Sequence, residues 1–286
     1  MAVETTREKS VSPWQSQAVR IVAVKAEIPG VKTYRLRFVD QDVEDAYSIC
    51  SGQFNMLYMP GYGESAISVS GYDDQNKELL QTVRAAGNVT RALSRLNVGD
   101  ELGLRGPFGQ GWPMEVARGD HLILIAGGLG FAPIRSAIEA AVRHRNEFEQ
   151  ISILAGARSP DQLLYRDQYE QWKAAGVELR LTVDRATSQW NGNVGIVPLL
   201  VDRLKISNPA TTTVMMCGPE VMMWYTAKSA IEQGIPVDRI WLSMERNMNC
   251  AIGHCGHCQF GPAFICKDGP VLRYDKIASY LKIKGL

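Results

Sequence analysis

The chain has almost no net charge. Its 31 lysines and arginines face 30 aspartates and glutamates, leaving +1 over 286 residues, so no global field draws it to nucleic acid or to an anionic membrane. It also lacks a long apolar run. The longest, residues 121–134, is broken by Gly127, Gly128, Gly130 and Pro133, whereas a bilayer span needs about 20 apolar residues. The first thirteen residues, MAVETTREKSVSP, contain no apolar stretch. No secretory leader is therefore expected, and the expected location is cytoplasmic. Internal repeats and low-complexity segments are missing too. With 45% hydrophobic and 21% charged residues, the composition is that of an ordinary globular protein and excludes a disordered, collagen-like or coiled-coil one. The length suggests about two domains, at roughly 150 residues each.

What the sequence does have is an uneven distribution of cysteine. Cys50 and Cys217 stand alone, while Cys250, Cys255, Cys258 and Cys266 crowd together as C-x4-C-x2-C-x7-C. A disulfide framework belongs to a secreted context, so this cluster reads as a metal site. The C-x4-C-x2-C…C order is the plant-type ligand pattern of a [2Fe–2S] cluster. Gly253 and Gly256 suit a backbone that must wrap a cluster with positive φ. Structural zinc is the rival reading, because Cys255 and Cys258 form a CxxC and His254 and His257 lie among them.

Between residues 15 and 106 the chain reads as short strands separated by turn signals. The candidates are residues 32–39, 53–59, 66–70 and Glu78–Arg84, with one helix over residues 88–96 and Asn88 as its N-cap. This pattern suggests a small antiparallel barrel. Near residue 118 it changes. Continuous apolar strands over residues 121–126, 151–155, 177–183, 212–216 and 239–243 alternate with helices over residues 133–145, 164–175 and 220–233, the signature of a doubly wound parallel sheet. The last forty residues are rich in Cys, Gly and His and show little periodicity, so a packed core is not expected there unless something holds it together.

Two turns fall at the carboxyl ends of predicted parallel strands, where ligands bind in open sheets. One is Gly127-Gly128-Leu129-Gly130-Phe131-Ala132-Pro133. It follows a buried strand and opens a helix, so a pyrophosphate can approach backbone N–H groups there. The usual third glycine is replaced by Pro133. The other is Cys217-Gly218-Pro219. Taken alone, Cys217 is a small buried hydrophobe.

Together these residues resemble the ferredoxin-NADP reductase superfamily, over about residues 15–280. In that family a flavin-binding barrel precedes a nicotinamide-binding domain. The G-x-G-x-x-P turn, here Gly128 to Pro133, and the CGP turn, here Cys217 to Pro219, mark the nicotinamide site. The run from Cys250 to Pro270 is similar to the gamma subunit of the NiFe sulfhydrogenases and to the corresponding subunit of anaerobic sulfite reductase. Electron-transfer subunits of dihydroorotate dehydrogenase share the plan, but their last cysteine typically lies further away. The resemblance implies an N-terminal antiparallel flavin-binding barrel (residues 1–116), a doubly wound NAD(P)-binding domain (117–244) and a small [2Fe–2S] segment (245–286), an α+β and α/β combination.

The resemblance also implies site residues. Cys250, Cys255, Cys258 and Cys266 would ligate the cluster. Gly128, Gly130, Pro133, Gly218 and Pro219 would hold the dinucleotide, with Cys217 beside the nicotinamide. Arg158 would meet the adenosine ribose or its 2′-phosphate, Arg166 would assist, and Tyr165 would lie near the adenine, with a lean to NADP over NAD. The flavin motif R-x-Y-S falls at Ser65-Ala66-Ile67-Ser68, where Ser65 replaces the arginine and Ile67 the tyrosine. Ser68 keeps the hydroxyl that sits near the reactive flavin nitrogen. Pro60, Gly61, Gly63 and Glu64 fit the hydrogenase-type variant, which also lacks the arginine. Gly87, Val89 and Thr90 fall on the second phosphate motif, which favours FAD over FMN.

The expected activity is that of an electron-transfer subunit. Nicotinamide exchanges two electrons as a hydride, an iron–sulfur cluster exchanges one, and a flavin does both. Nothing in the sequence frames a NiFe site, so the terminal chemistry is expected in the catalytic and iron–sulfur subunits of a hetero-oligomeric complex. A NiFe hydrogenase is the leading partner, and a sulfite reductase or a dihydroorotate dehydrogenase is the alternative. Further from this stand a free-standing flavin reductase and a zinc-bearing nucleotide module without redox chemistry.

Overall fold

In the computed structural model, which describes residues 12–281 and residue 283, the N-terminal half closes on itself. Residues 1–11, most of the stretch read above for a leader, lie outside the described residues. The elements in this half are β1 (Gln17–Ile28), β2 (Val31–Phe38), α1 (Gln41–Ala46), β3 (Phe54–Met59), β4 (Gly63–Asp73), β5 (Glu78–Arg84), α2 (Asn88–Leu93) and β6 (Glu101–Phe108). The six strands form a closed antiparallel barrel in the order β1-β2-β5-β4-β3-β6. Its interior is filled by alternate side chains such as Ile21, Tyr34, Leu57, Leu79 and Leu104, as the two-residue period of a strand requires. Closure removes the exposed strand edges that an open sheet would leave.

The second half contains β7 (His121–Gly127), α3 (Phe131–Arg143), β8 (Gln150–Ala157), α4 (Tyr169–Ala174), β9 (Glu178–Val183), β10 (Asn193–Val194), α5 (Pro198–Asp202), β11 (Thr212–Cys217), α6 (Glu220–Glu232) and β12 (Ile240–Ser243). The sheet order is β10-β9-β8-β7-β11-β12, with one further strand outside β12. β7 and β11 are buried along their whole length, which is why they read as continuous apolar runs. The strand order reverses between β7 and β11, the switch point at which such sheets bind ligands. Helix α3 is buried over most of its length and faces the barrel. Arg135 donates to the Ser70 carbonyl at 2.6 Å, and Ser136 Oγ accepts from the Gly52 amide at 3.1 Å.

The C-terminal stretch is better anchored than its composition suggests. It forms a hairpin of β13 (Gln259–Phe260) and β14 (Ala263–Phe264), then β15 (Val271–Arg273) and α7 (Tyr274–Ile277). β15 pairs antiparallel with β12, so the large sheet has a seventh strand at its edge. Ala251, Cys258, Phe260, Ile265 and Cys266 share one apolar cluster with Phe54, Met56 and Phe108 of the barrel and with β11 and β12.

Several sequence expectations need correction. The helix expected at 88–96 spans Asn88–Leu93, and its N-cap is Gly87 rather than Asn88. Thr90 Oγ1 accepts from the Ala86 and Gly87 amides, each at 3.0 Å, and closes the turn. The helix expected at 164–175 shrinks to Tyr169–Ala174, because Tyr165 takes a left-handed conformation with φ 57°. The helix expected at 133–145 begins two residues earlier, at Phe131. Among the described residues no helix is long and apolar enough to cross a membrane.

Candidate functional site

A cavity of about 840 Å³ opens at the switch point of the large sheet, within the size range of small-molecule sites. The turn after β7 and the turn after β11 meet there. A Cβ on Gly130 would collide with the carbonyl group of Cys217 and lie 2.7 Å from the Gly218 nitrogen, so only glycine lets the two backbones touch. Gly128 has φ 56° and open space where a side chain would project. Gly128, Gly130, Gly218 and Pro219 all line the cavity, with Arg84 entering from the barrel and Arg158 on the side of β8. Arg158 is exposed, and Asp184 lines the same cavity.

Not every expected residue reaches this space. Pro133 is buried in the first turn of α3, where its carbonyl accepts from Trp112 Nε1 at 3.1 Å. Cys217 is buried behind the turn, and its thiol is pushed up by burial and by Glu245, with Ser243 and the Gly218 amide pulling the other way. Its sulfur is therefore a neutral thiol at ordinary pH. Tyr165 is 1% exposed and donates to Thr82 Oγ1 at 2.7 Å. That burial overturns its reading as an adenine neighbour: the ring is part of the contact between the two halves. Arg166 is exposed and does not line the cavity.

On the barrel, Ser65, Ile67 and Ser68 lie half-buried along β4, opposite Leu57, Asn55 and Phe54 of β3. A Cβ on Gly63 would reach Val89 at 4.0 Å, so the start of β4 and the first turn of α2 face each other. A Cβ on Gly87 would meet nothing within 4 Å. Gly63, Gly87 and Val89 thus leave room at this junction without a bulky side chain between them. The Thr90 hydroxyl and the Ala86 and Gly87 amides are already engaged with one another in the turn.

The cysteine loop is the third part of the site. Cys250, Cys258 and Cys266 are buried, and Cys255 is exposed. Gly253 and Gly256 have φ of 73° and 74°, as the wrapping argument requires, and Ala251 joins them at 63°. Backbone amides point at the sulfurs. Those of Ile252, His254 and Cys255 lie 3.5, 3.3 and 3.4 Å from Cys250 Sγ. The Gly253 amide is 3.1 Å from Cys266 Sγ, and the Cys266 amide is 3.4 Å from Cys258 Sγ. Burial opposes ionisation of Cys250, but these amides outweigh it and bring its pKa down to about 6. Burial and the neighbouring Cys258 push Cys266 up to about 12.

Structural zinc draws four ligands around one centre, whereas a two-iron cluster spreads four thiolates over two. Four cysteine thiols beneath a canopy of backbone N–H donors offer an all-sulfur ligand set, as an iron–sulfur centre requires.

The model for the oxidoreductase NAD-binding domain matches residues 124–228, and that for the iron-sulfur cluster binding domain of dihydroorotate dehydrogenase B matches residues 245–278. The chain is similar to sulfhydrogenase 2 subunit gamma of Pyrococcus furiosus, at 32% identity over 92% of this chain and 96% of the relative. It is also similar to a probable dihydroorotate dehydrogenase B (NAD(+)) electron transfer subunit of Methanocaldococcus jannaschii, at 33% identity over 90% of each. Among solved structures it shares its fold with an NADH-dependent reduced ferredoxin-NADP oxidoreductase, with a TM-score of 0.73 and 24% identity over 92% of both chains.

Proposed function

The chain belongs to the ferredoxin-NADP reductase superfamily, beside the sulfhydrogenase gamma and dihydroorotate dehydrogenase electron-transfer subunits, and from that membership we propose that it passes electrons between NAD(P)H, FAD and a [2Fe–2S] cluster, to or from a partner subunit. The partner we infer is the catalytic and iron–sulfur part of a NiFe hydrogenase. The observation that carries the proposal is the common packing of three sites. The cysteine loop, the barrel strands β3 and β6 and the end of the nucleotide sheet share one apolar cluster.

Bound at these sites, a flavin would exchange a hydride with the nicotinamide and single electrons with the cluster. The chain's own residues supply the positions. The Gly128–Gly130 turn and Gly218-Pro219 leave backbone donors open to a pyrophosphate. Ser65, Ile67 and Ser68 on β4, with Gly87, Val89 and Thr90 at α2, frame the flavin. Ser68 would offer its hydroxyl to the flavin, and Cys217, buried and neutral, would wall the nicotinamide turn rather than act as a base. Arg158 suits a 2′-phosphate and Asp184 suits a free ribose, so both NAD and NADP are kept as coenzymes. Cys250, Cys255, Cys258 and Cys266 hold the cluster. The division into residues 1–116, 117–244 and 245–286 follows these three tasks.

A second reading, a dihydroorotate dehydrogenase partner, is favoured by the cluster-domain match at residues 245–278. The x7 interval between Cys258 and Cys266 favours the hydrogenase type. Purification from the native cell separates the two. The expected result is a visible spectrum with flavin and iron–sulfur bands, and co-purifying chains that take up hydrogen. The isolated chain should reduce artificial dyes with NAD(P)H but show no hydrogen uptake. A colourless protein would refute the electron-transfer reading, and a co-purifying dihydroorotate-oxidising chain would replace the partner.

A further inference from the structure

Arg105 has no role in the reading above, yet every hydrogen-bond donor of its side chain is committed. It lies on β6 and is 5% exposed. Its Nε donates to Glu64 Oε1 and its Nη2 to Glu64 Oε2, both at 2.7 Å, a bidentate pair. Nη2 also donates to the Asn249 carbonyl at 2.8 Å. Nη1 donates to the carbonyls of Cys250 at 2.8 Å and Pro13 at 3.1 Å. A guanidinium has five N–H donors in a fixed fork, and all five are used here.

The partners come from three places. Glu64 begins the strand that continues into Ser65 and Ser68. Asn249 and Cys250 open the cysteine loop. Pro13 belongs to the segment that places Trp14 edge-on against His254, with ring centres 6.1 Å apart. Across the barrel Ala66 pairs with Met56 and Met56 with Arg105, so the guanidinium lies two strands from the candidate flavin edge. The far end of the cysteine loop is tied to the exit of the same strand. The Gln110 amide donates to the Gly269 carbonyl at 2.5 Å, and Gln110 Nε2 donates to the Lys267 carbonyl at 3.2 Å. β6 and its exit thus hold the loop on both sides of its four cysteines.

We propose that Arg105, oriented by Glu64, is the positioning residue that fixes the cysteine loop against the flavin strand and sets the charge environment of Cys250. This rests on the electron-transfer reading above. Two consequences follow from the geometry. The paired charges of Arg105 and Glu64 cancel beside the Cys250 carbonyl, so removing either partner shifts the cluster's potential, and in opposite directions. Lysine at position 105 would keep the charge but offer three donors instead of five in a fork, so it would keep the potential and lose the positioning.

The test uses the full chain, purified anaerobically with both centres, and the variants Glu64→Gln, Arg105→Gln and Arg105→Lys. The readouts are the cluster's reduction potential and paramagnetic spectrum, and the rate at which electrons reach the cluster from the reduced flavin. Glu64→Gln should shift the potential upward and Arg105→Gln downward. Arg105→Lys should stay near the wild-type potential but slow transfer several-fold. If Arg105→Gln does not fold, the upward shift of Glu64→Gln and the split behaviour of Arg105→Lys still decide. Shifts of the same sign in the two Gln variants, or wild-type potential and transfer rate in Glu64→Gln and Arg105→Lys, would overturn the proposal. A wild-type chain without flavin or iron would instead refute the electron-transfer reading, before any variant is made.

Discussion

The two glycines of the nicotinamide turn are required for different reasons, and alanine substitution separates them. Gly130 has an ordinary helical backbone, with φ −57°, so only space forbids a side chain. An added Cβ would collide with the Cys217 carbonyl group and sit 2.7 Å from the Gly218 nitrogen. Those atoms are backbone at the end of a buried parallel strand and cannot rotate away. Gly130→Ala should cost roughly 3 kcal/mol, the upper end of overpacking penalties, or a fall of roughly 6–12 °C in Tm. Because the collision pushes the two turns apart, affinity for NAD(P)H should fall as well. Gly128 is the reverse case. Its φ of 56° is left-handed, and the added Cβ would enter open space in the cavity. Gly128→Ala should cost about 1–2 kcal/mol of backbone strain, with affinity falling about tenfold for each 1.4 kcal/mol of lost contact. Thermal unfolding and calorimetric titration with NAD(P)H, alongside flavin content, measure both effects. A Gly130→Ala protein with unchanged Tm and unchanged affinity would refute the close approach of the turns and their role in dinucleotide binding.

Two further outcomes can be measured on single variants. Cys258→Ser should abolish the iron content and paramagnetic signal of the cluster while flavin content stays at the wild-type level, because the cysteines and the flavin strand lie in different segments of the chain; retained iron would sink the ligand assignment. The Cys217 thiol, raised by burial above its ordinary value of 9.0, contributes stability that is fully present below about pH 9 and lost as pH rises further, by up to about 1.4 kcal/mol per unit; denaturant unfolding of Cys217→Ala between pH 9 and 10 should show a shallower decline than wild type, and an equal slope would refute it.

How much of this could be read from the sequence depended on how local the signal was. β7, β8 and β11 were legible because burial on both faces writes a continuous apolar run. The cysteine loop is legible because its four cysteines and its glycines sit within seventeen residues. β1 was not drawn as a strand, because bulges between Ile21 and Ala23 and between Ala26 and Ile28 break its alternation. β6 was hidden by Gly106 and Pro107, which usually demote a strand. The helix read at residues 164–175 failed on a tertiary contact, since Tyr165 turns into the barrel to reach Thr82. Arg105 carried no signal at all. Its partners lie 41, 92, 144 and 145 residues away, and an arginine in a strand reads as a solvated charge until the fold closes around it.

The same distant contacts change what the metal has to do. A segment of about forty residues cannot bury enough surface to fold alone, and small metal-binding segments of that kind are often unfolded without their ion. Here the flanks are fixed by other means. Trp241, Leu242 and Ser243 pair with Arg273, Leu272 and Val271, and the Met244 amide donates to the Pro270 carbonyl at 2.8 Å. Cys258, Phe260, Ile265 and Cys266 pack on Phe54, Met56 and Phe108. The binding energy of the metal centre is therefore not consumed in folding the segment. In chelator-treated protein the amides of residues 242–244 and 271–273 should remain protected from hydrogen exchange, while those of residues 252–255, whose donors face only sulfur, lose protection. Exchange of the whole stretch at the rate of an unstructured peptide would show that the cluster, and not the barrel and sheet, holds this segment in place.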